Sequence, residues 1–170
     1  MSKSIIIITL AACLFCSAAF AQKSGFGLGI IVGEPTGITG KYWLSSKSAI
    51  DGAIAWSLHG ESLHLHGDYL IHKFDVFKVS KGSLPLYFGV GVRVRFDDYE
   101  HYYDHHDHHY YDDHYDNDHH ARIGIRIPVG LDYLFAHDPI DIFFEIVPIL
   151  DLTPDTDFGF NAAIGFRYFF

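Results

Sequence analysis

The chain has 170 residues, 49% of them hydrophobic, with 16 Gly, 15 Phe, 11 Tyr, 13 His and a formal charge of -9. A disordered chain would be poorer in Phe, Ile and Val, and a nucleic-acid binder would be basic, so both classes are excluded. The length suits one domain, and no stretch reaches the roughly 18 continuous apolar residues of a membrane-spanning helix, so the apolar residues must be dispersed along the chain.

Residues 1–21 read as a cleavable signal peptide. Met1 to Lys3 is a short basic start, Ile5 to Phe15 is apolar, and Ala19-Phe20-Ala21 sets small residues where a signal peptidase reads, so the mature chain is expected to begin at Gln22. Leu10-Ala11-Ala12-Cys13 also looks like a lipobox, with Cys13 as the lipidated residue. Its apolar core would be very short, and the residues after Cys13 stay apolar where a tether is usually polar. Cys13 and Cys16 both lie in the segment to be removed, so neither disulfides nor thiolate chemistry is expected in the mature domain, 22–170.

From Gly25 onward the period is two, with turn residues every 10 to 15 positions. Strands are predicted over 25–32, 38–45, 49–58, 63–74, 86–96, 121–135, 140–152 and 159–170. In the fifth, Leu86, Phe88, Val90, Val92, Val94 and Phe96 share one face, and Tyr87, Gly89, Gly91, Arg93 and Arg95 the other. The sixth repeats this, with Ile123, Ile125, Ile127, Val129, Leu131, Tyr133 and Phe135 opposed by Arg122, Gly124, Arg126, Pro128, Gly130 and Asp132. Alternation alone fits a soluble sandwich or barrel with its apolar face inside, or a membrane barrel with that face in lipid. Turning the charged faces inward gathers Lys41, Arg93, Arg95, Arg122, Arg126 and Arg167 against Asp51, Asp68, Asp132, Asp141, Glu145 and Asp151, six of each sign. The opposite rows are almost free of charge, and the strand lengths match the roughly 9 to 11 residues needed to cross a bilayer when tilted.

The expected fold is therefore all-β, an eight-stranded antiparallel up-and-down transmembrane β-barrel with a side-chain-filled lumen. Tyr42, Trp56, Tyr69, Tyr133, Phe135, Tyr168 and Phe170 fall on the outward parity, several near strand ends, as an aromatic girdle requires. With the amino-terminus in the periplasm, Ser45 to Ser48 and Ala136 to Pro139 are short periplasmic turns, and Asp75 to Ser83 is long for one. Gly33 to Gly37 is a tight outer loop.

The final strand alternates Ala162, Ile164, Phe166, Tyr168 and Phe170 with Asn161, Ala163, Gly165, Arg167 and Phe169. It resembles the C-terminal signature of Gram-negative outer-membrane barrels, which implies that the assembly machinery is a partner through Phe170. The whole mature chain is similar in architecture to small proteins of the OmpA-domain and OmpX type. Gly33-Glu34-Pro35-Thr36-Gly37 with Lys41-Tyr42-Trp43-Leu44, Pro148-Ile149-Leu150-Asp151-Leu152 and Pro154-Asp155-Thr156-Asp157-Phe158 resemble a group of bacterial barrel proteins. The resemblance implies a fold and an outer-membrane location, and no reaction; outer-membrane lipid is the expected partner and a monomer the expected state.

The run 97–120 holds eight His, eight Asp, six Tyr, one Glu and one Asn. Its formal charge is -9, so the remainder of the mature chain sums to -1. Lying between strands five and six, it is expected to be an extracellular loop, with no aliphatic residue to bury. Imidazole and carboxylate suit borderline divalent metals such as Zn, Ni and Cu. The candidate ligands are His101, His105, His106, His108, His109, His114, His119 and His120, with Asp104, Asp107, Asp112 and Asp113. The spacing matches no structural-zinc pattern, so a plain solvated loop and a set of overlapping weak metal sites both remain open. Near a reference pKa of about 6.5, eight protonations would also carry the loop from -9 to -1.

A second histidine set, His64, His66 and His72 with Asp68, alternates inward on strand four, with Ser57 and His59 across the hairpin. The plain reading is polar lumen side chains bonded to interior carboxylates. The sharper ones are a metal site or a Ser57–His pair serving a lipid-modifying enzyme, although Ser57 faces inward, away from lipid. No Gly-x-Ser-x-Gly, phosphate loop or zincin motif is present. The chain is thus read as non-enzymatic, with no required cofactor. A lipid-modifying enzyme and a narrow ion or small-solute channel are the alternatives.

Overall fold

A computed structural model describes residues 24–57, 62–97 and 121–170. The signal-peptide and Cys13 readings, and nearly all of the His/Asp/Tyr run, lie outside the described residues. Those described form nine antiparallel β segments and no helix: β1 (Gly25–Gly33), β2 (Thr36–Trp43), β3 (Ser48–Trp56), β4 (Ser62–Lys73), β5 (Leu86–Asp97), β6 (Ala121–Arg126), β7 (Val129–Leu134), β8 (Ile140–Thr153) and β9 (Asp157–Phe169). Sequence neighbours pair throughout except β6 and β7, which both lie between β5 and β8, and β1 pairs with β9, which closes the sheet.

The strand expected over 121–135 is two segments, because Pro128 has no N–H to give the ladder. The two still occupy a single position between β5 and β8. Arg126 faces Gly91 and Val129 faces Phe88 on one side; on the other, Arg126 faces Ile149 and Val129 faces Ile146. The register is unbroken across the gap on both neighbours, so the barrel has eight strand positions. Gly89 N–H donates to the Pro128 carbonyl at 2.9 Å and Ile127 N–H to the Pro148 carbonyl at 3.0 Å. Neither proline can return a bond, and that is why the ladder thins there.

Lys41 lies opposite Gly27, Asp51 opposite Lys41, Asp68 opposite Asp51, Gly91 opposite Asp68, Arg126 opposite Gly91, Ile149 opposite Arg126 and Gly159 opposite Ile149. Gly27's partner in the other direction is Phe169, ten residues beyond Gly159, and that offset is the stagger of the ring. Eight strands with this stagger, about 4.8 Å apart and rising about 3.4 Å per residue, tilt by roughly 40° around a radius of roughly 8 Å. Such a barrel is wide enough for side chains and little else.

The two faces are inverted relative to a soluble protein. Phe26, Leu28, Ile30 and Val32 of β1 are exposed, as are Val90 and Val92 of β5 and Ile164 of β9, while Lys41, Arg126 and Arg167 are fully buried. Exposed charges such as Lys47, Lys73, Lys78, Asp138 and Asp155 sit at strand ends and in turns. Burying charge while showing aliphatic surface is stable only if the outer surroundings are apolar.

Turns follow local chemistry. Ser45 Oγ accepts from the N–H groups of Lys47 and Ser48 at 3.2 and 3.0 Å. Thr36 Oγ1 accepts from Gly33 N–H and donates to Gly33 C=O. The long Asp75–Ser83 connection is accommodated because its end extends the sheet: Ser83 and Leu134 exchange N–H···O bonds of 2.9 and 2.8 Å. Inside the wall, large rings face glycines. Phe169 lies opposite Gly27, Tyr87 opposite Gly130 and Phe143 opposite Gly165, each ring filling the space a Cβ would take.

Candidate functional site

The inward rows of β2 to β9 converge on a lumen packed with charge. At the end where β1 begins, Lys41 Nζ donates to Asp132, lies 2.9 Å from His72 Nε2 and 3.9 Å from Asp141, and sits 4.5 Å over the Trp43 ring. Arg167 comes next. Its Nε donates to both Asp141 oxygens at 3.1 and 3.2 Å, its terminal nitrogen donates to Asp51 at 3.0 Å, and its guanidinium rides 3.9 Å from the Phe143 ring centre. Arg126 lies between Asp68, at 3.0 Å, and Glu145, at 3.2 Å, and the Tyr87 hydroxyl donates to Glu145 at 3.0 Å. Toward the Gly33 end, Arg93 clasps Asp151 bidentately at 3.0 and 2.5 Å.

These contacts form one alternating chain from Asp132 through Lys41, Asp141 and Arg167 to Asp51. Asp68, paired directly with Asp51 across β3 and β4, continues it through Arg126 to Glu145. Buried charge persists only where partners replace water, and here Arg126 and Arg167 are each shared between two carboxylates. The arrangement can brace the barrel and exclude solutes. All six expected interior carboxylates are buried, with Lys41, Arg93, Arg126 and Arg167 among them. Arg95 and Arg122 are half-buried, facing one another across β5 and β6.

The histidines divide. His72 joins the lysine cluster, its ring 4.5 Å from Trp43 and 5.5 Å from Tyr87. His64 and His66 meet edge to face at 5.4 Å. Neither His64 ring nitrogen has a hydrogen-bond partner among the described residues, so the Ser57–His64 pair does not form, and His59 lies outside them. His66 is drawn instead toward Asp51 and Asp68: one ligand atom from each of the three lies within 4.8 Å of the others. The twelve ligands expected between His101 and His120 lie outside the described residues; β5 itself runs on to Asp97, opposite Ser62. Alternation placed Asp51, Asp68 and Tyr87 inward, but carried no signal that the first two face each other or that the third bonds Glu145.

The chain is similar to the crystal structure of the N-terminal β-barrel domain of Pseudomonas aeruginosa OprF, at 14% identity and a TM-score of 0.62. The match covers 88% of this chain and 99% of that domain. No protein-family model and no curated protein matches. At this identity the likeness concerns the fold, and it agrees with the eight-position ring read from the register.

Proposed function

We propose that this chain is a non-enzymatic outer-membrane barrel with a structural or surface-interaction role, exported by a signal peptide cut after Ala21 and inserted as a monomer through its Phe170-terminated strand. The observation that carries the reading is the inversion of the wall: a fully buried Lys/Arg/carboxylate interior behind exposed aliphatic rows is stable in lipid and unstable in water. In this reading the Gly33 end faces outward, and residues 97–120 are displayed there as a His/Asp/Tyr loop.

The loop is read as the site of interaction, taking Zn, Ni or Cu ions through the His101–His120 ligand set in overlapping weak sites. The non-enzymatic assignment is supported by the bonding of the interior: Lys41, Arg93, Arg126 and Arg167 are each ion-paired to inward carboxylates, and Ser57 has no bonded imidazole in His64. The channel alternative would need a path past the ion pairs that cross the lumen.

Protease shaving of intact cells and calorimetry test this reading together. Surface protease should cut within 97–120. Zn2+ titration of the refolded full chain should show several weak sites that vanish when all eight loop histidines are replaced by Gln. Identical titrations of the two chains would remove the metal role, and resistance of the loop in intact cells would reverse the topology.

A further inference from the structure

A second site lies inside the wall, at residues the loop reading does not use. Asp51 and Asp68 are directly opposed on β3 and β4, and His66 follows on the same inward row of β4. Two carboxylates side by side in a low-dielectric lumen repel each other unless a proton or a cation lies between them. Each is only half engaged. Asp51 accepts at Oδ2 from Arg167 at 3.0 Å, and its Oδ1, although buried, has no hydrogen-bond partner among the described residues. Asp68 sets Oδ1 3.0 Å from Arg126 Nε as an ion pair, and among the described residues neither of its buried oxygens has a hydrogen-bond partner. His66 Nδ1 is a further buried atom without one. Native interiors leave few such atoms, and an orphan set drawn from three neighbouring metal-ligating side chains points to a missing ligand.

We propose that Asp51, His66 and Asp68 bind one divalent transition-metal ion of the Zn2+ type in the lumen. The three ligand atoms lie within 4.8 Å of one another. Ligand atoms around Zn2+ at about 2.1 Å stand about 3.4 Å apart, so small side-chain rotations close the site. Arg167 and Arg126 hold the outer oxygens and so orient the inner ones, the office that second-sphere partners perform at metal sites. Charge agrees as well: the buried set has Asp51, Asp68, Asp132, Asp141, Glu145 and Asp151 against Lys41, Arg93, Arg126 and Arg167, two negative charges in excess. The half-buried Arg95 and Arg122 face each other four residues, about 13 Å, along β5 and β6 from Gly91 and Arg126, which lie level with Asp68, too far to neutralise the pair. One divalent ion makes the buried set neutral. His64, buried beside His66 with both ring nitrogens unpartnered, is a further imidazole at the site's Gly33-side flank.

The test uses the full refolded chain carrying Gln at all eight loop histidines, titrated with Zn2+ by calorimetry, with bound metal counted by mass spectrometry. One Zn2+ per chain should remain, and Asp51→Asn/Asp68→Asn and, separately, His66→Gln should each weaken it at least tenfold. No bound Zn2+ in the loop-substituted chain, or one whose affinity neither variant changes, overturns the proposal. A proton-bridged Asp51–Asp68 pair gives the first of those results. His66→Gln leaves both Asp–Arg pairs in place and decides the matter if the double variant does not fold, as judged by heat-modifiable gel mobility. The loop reading fails separately, when the full and loop-substituted chains titrate alike.

Discussion

Arg167→Met removes one guanidinium and keeps an apolar stem to pack on Phe143. Three charge-assisted hydrogen bonds disappear, two to Asp141 and one to Asp51, all buried. At about 1.5–3 kcal/mol each the gross loss is large, but orphaned carboxylates can recruit a proton, and breaking a buried pair costs a net of about 3–5 kcal/mol. Among the described residues Asp141 would keep Lys41 alone, at 3.9 Å. The expected destabilisation is therefore about 3–5 kcal/mol, read from urea titrations of the barrel in phosphatidylcholine vesicles with tryptophan fluorescence and gel mobility as coincident probes. Removing Asp141 as well should restore part of the loss: Arg167→Met/Asp141→Leu should cost at least about 1.5 kcal/mol less than the sum of the single changes. A single-variant cost under about 1 kcal/mol, or additivity within about 0.5 kcal/mol, would refute the view that the lumen chain braces the wall.

Two further outcomes follow from the wall itself. Val92, 59% exposed on the outward face of β5, should cost about 2–4 kcal/mol in bilayers when changed to Arg if that face meets lipid; a shift within about 0.5 kcal/mol, as for an ordinary water-facing site, would return the barrel to the soluble class. Gly165→Ala drives a methyl into the Phe143 ring and the Ile30 carbonyl, and through that ring disturbs the Arg167 stack. Vesicle unfolding should show a loss of about 1–3 kcal/mol, relieved when Phe143 is shortened to Leu; no relief would mean that the ring is not what fills the space.

Much of this architecture was legible because a strand writes its two faces into alternate residues. The faces of β5, the parity of Tyr42, Trp56 and Phe170, and the interior destination of all six carboxylates follow from that period alone. Alternation alone treats Pro128 as an ordinary inward residue of one strand, although its missing donor is a property of the residue type. The break was therefore visible in principle, whereas the unbroken register on both sides of it was not.

What the sequence by itself determined is which side chains face in, which face out, and where the chain turns, since period, turn residues and charge placement are local. Only the tertiary structure decided the pairings. Arg167 meets Asp51 across a separation of 116 residues, and Asp51 meets Asp68 because the β3–β4 hairpin register sets them opposite. Ring closure and its stagger place residues distant in sequence at one height in the lumen, and no local pattern encodes that offset. The same geometry that pairs Arg167 with Asp51 and Asp141 leaves Asp51 Oδ1, both Asp68 oxygens and His66 Nδ1 without hydrogen-bond partners among the described residues.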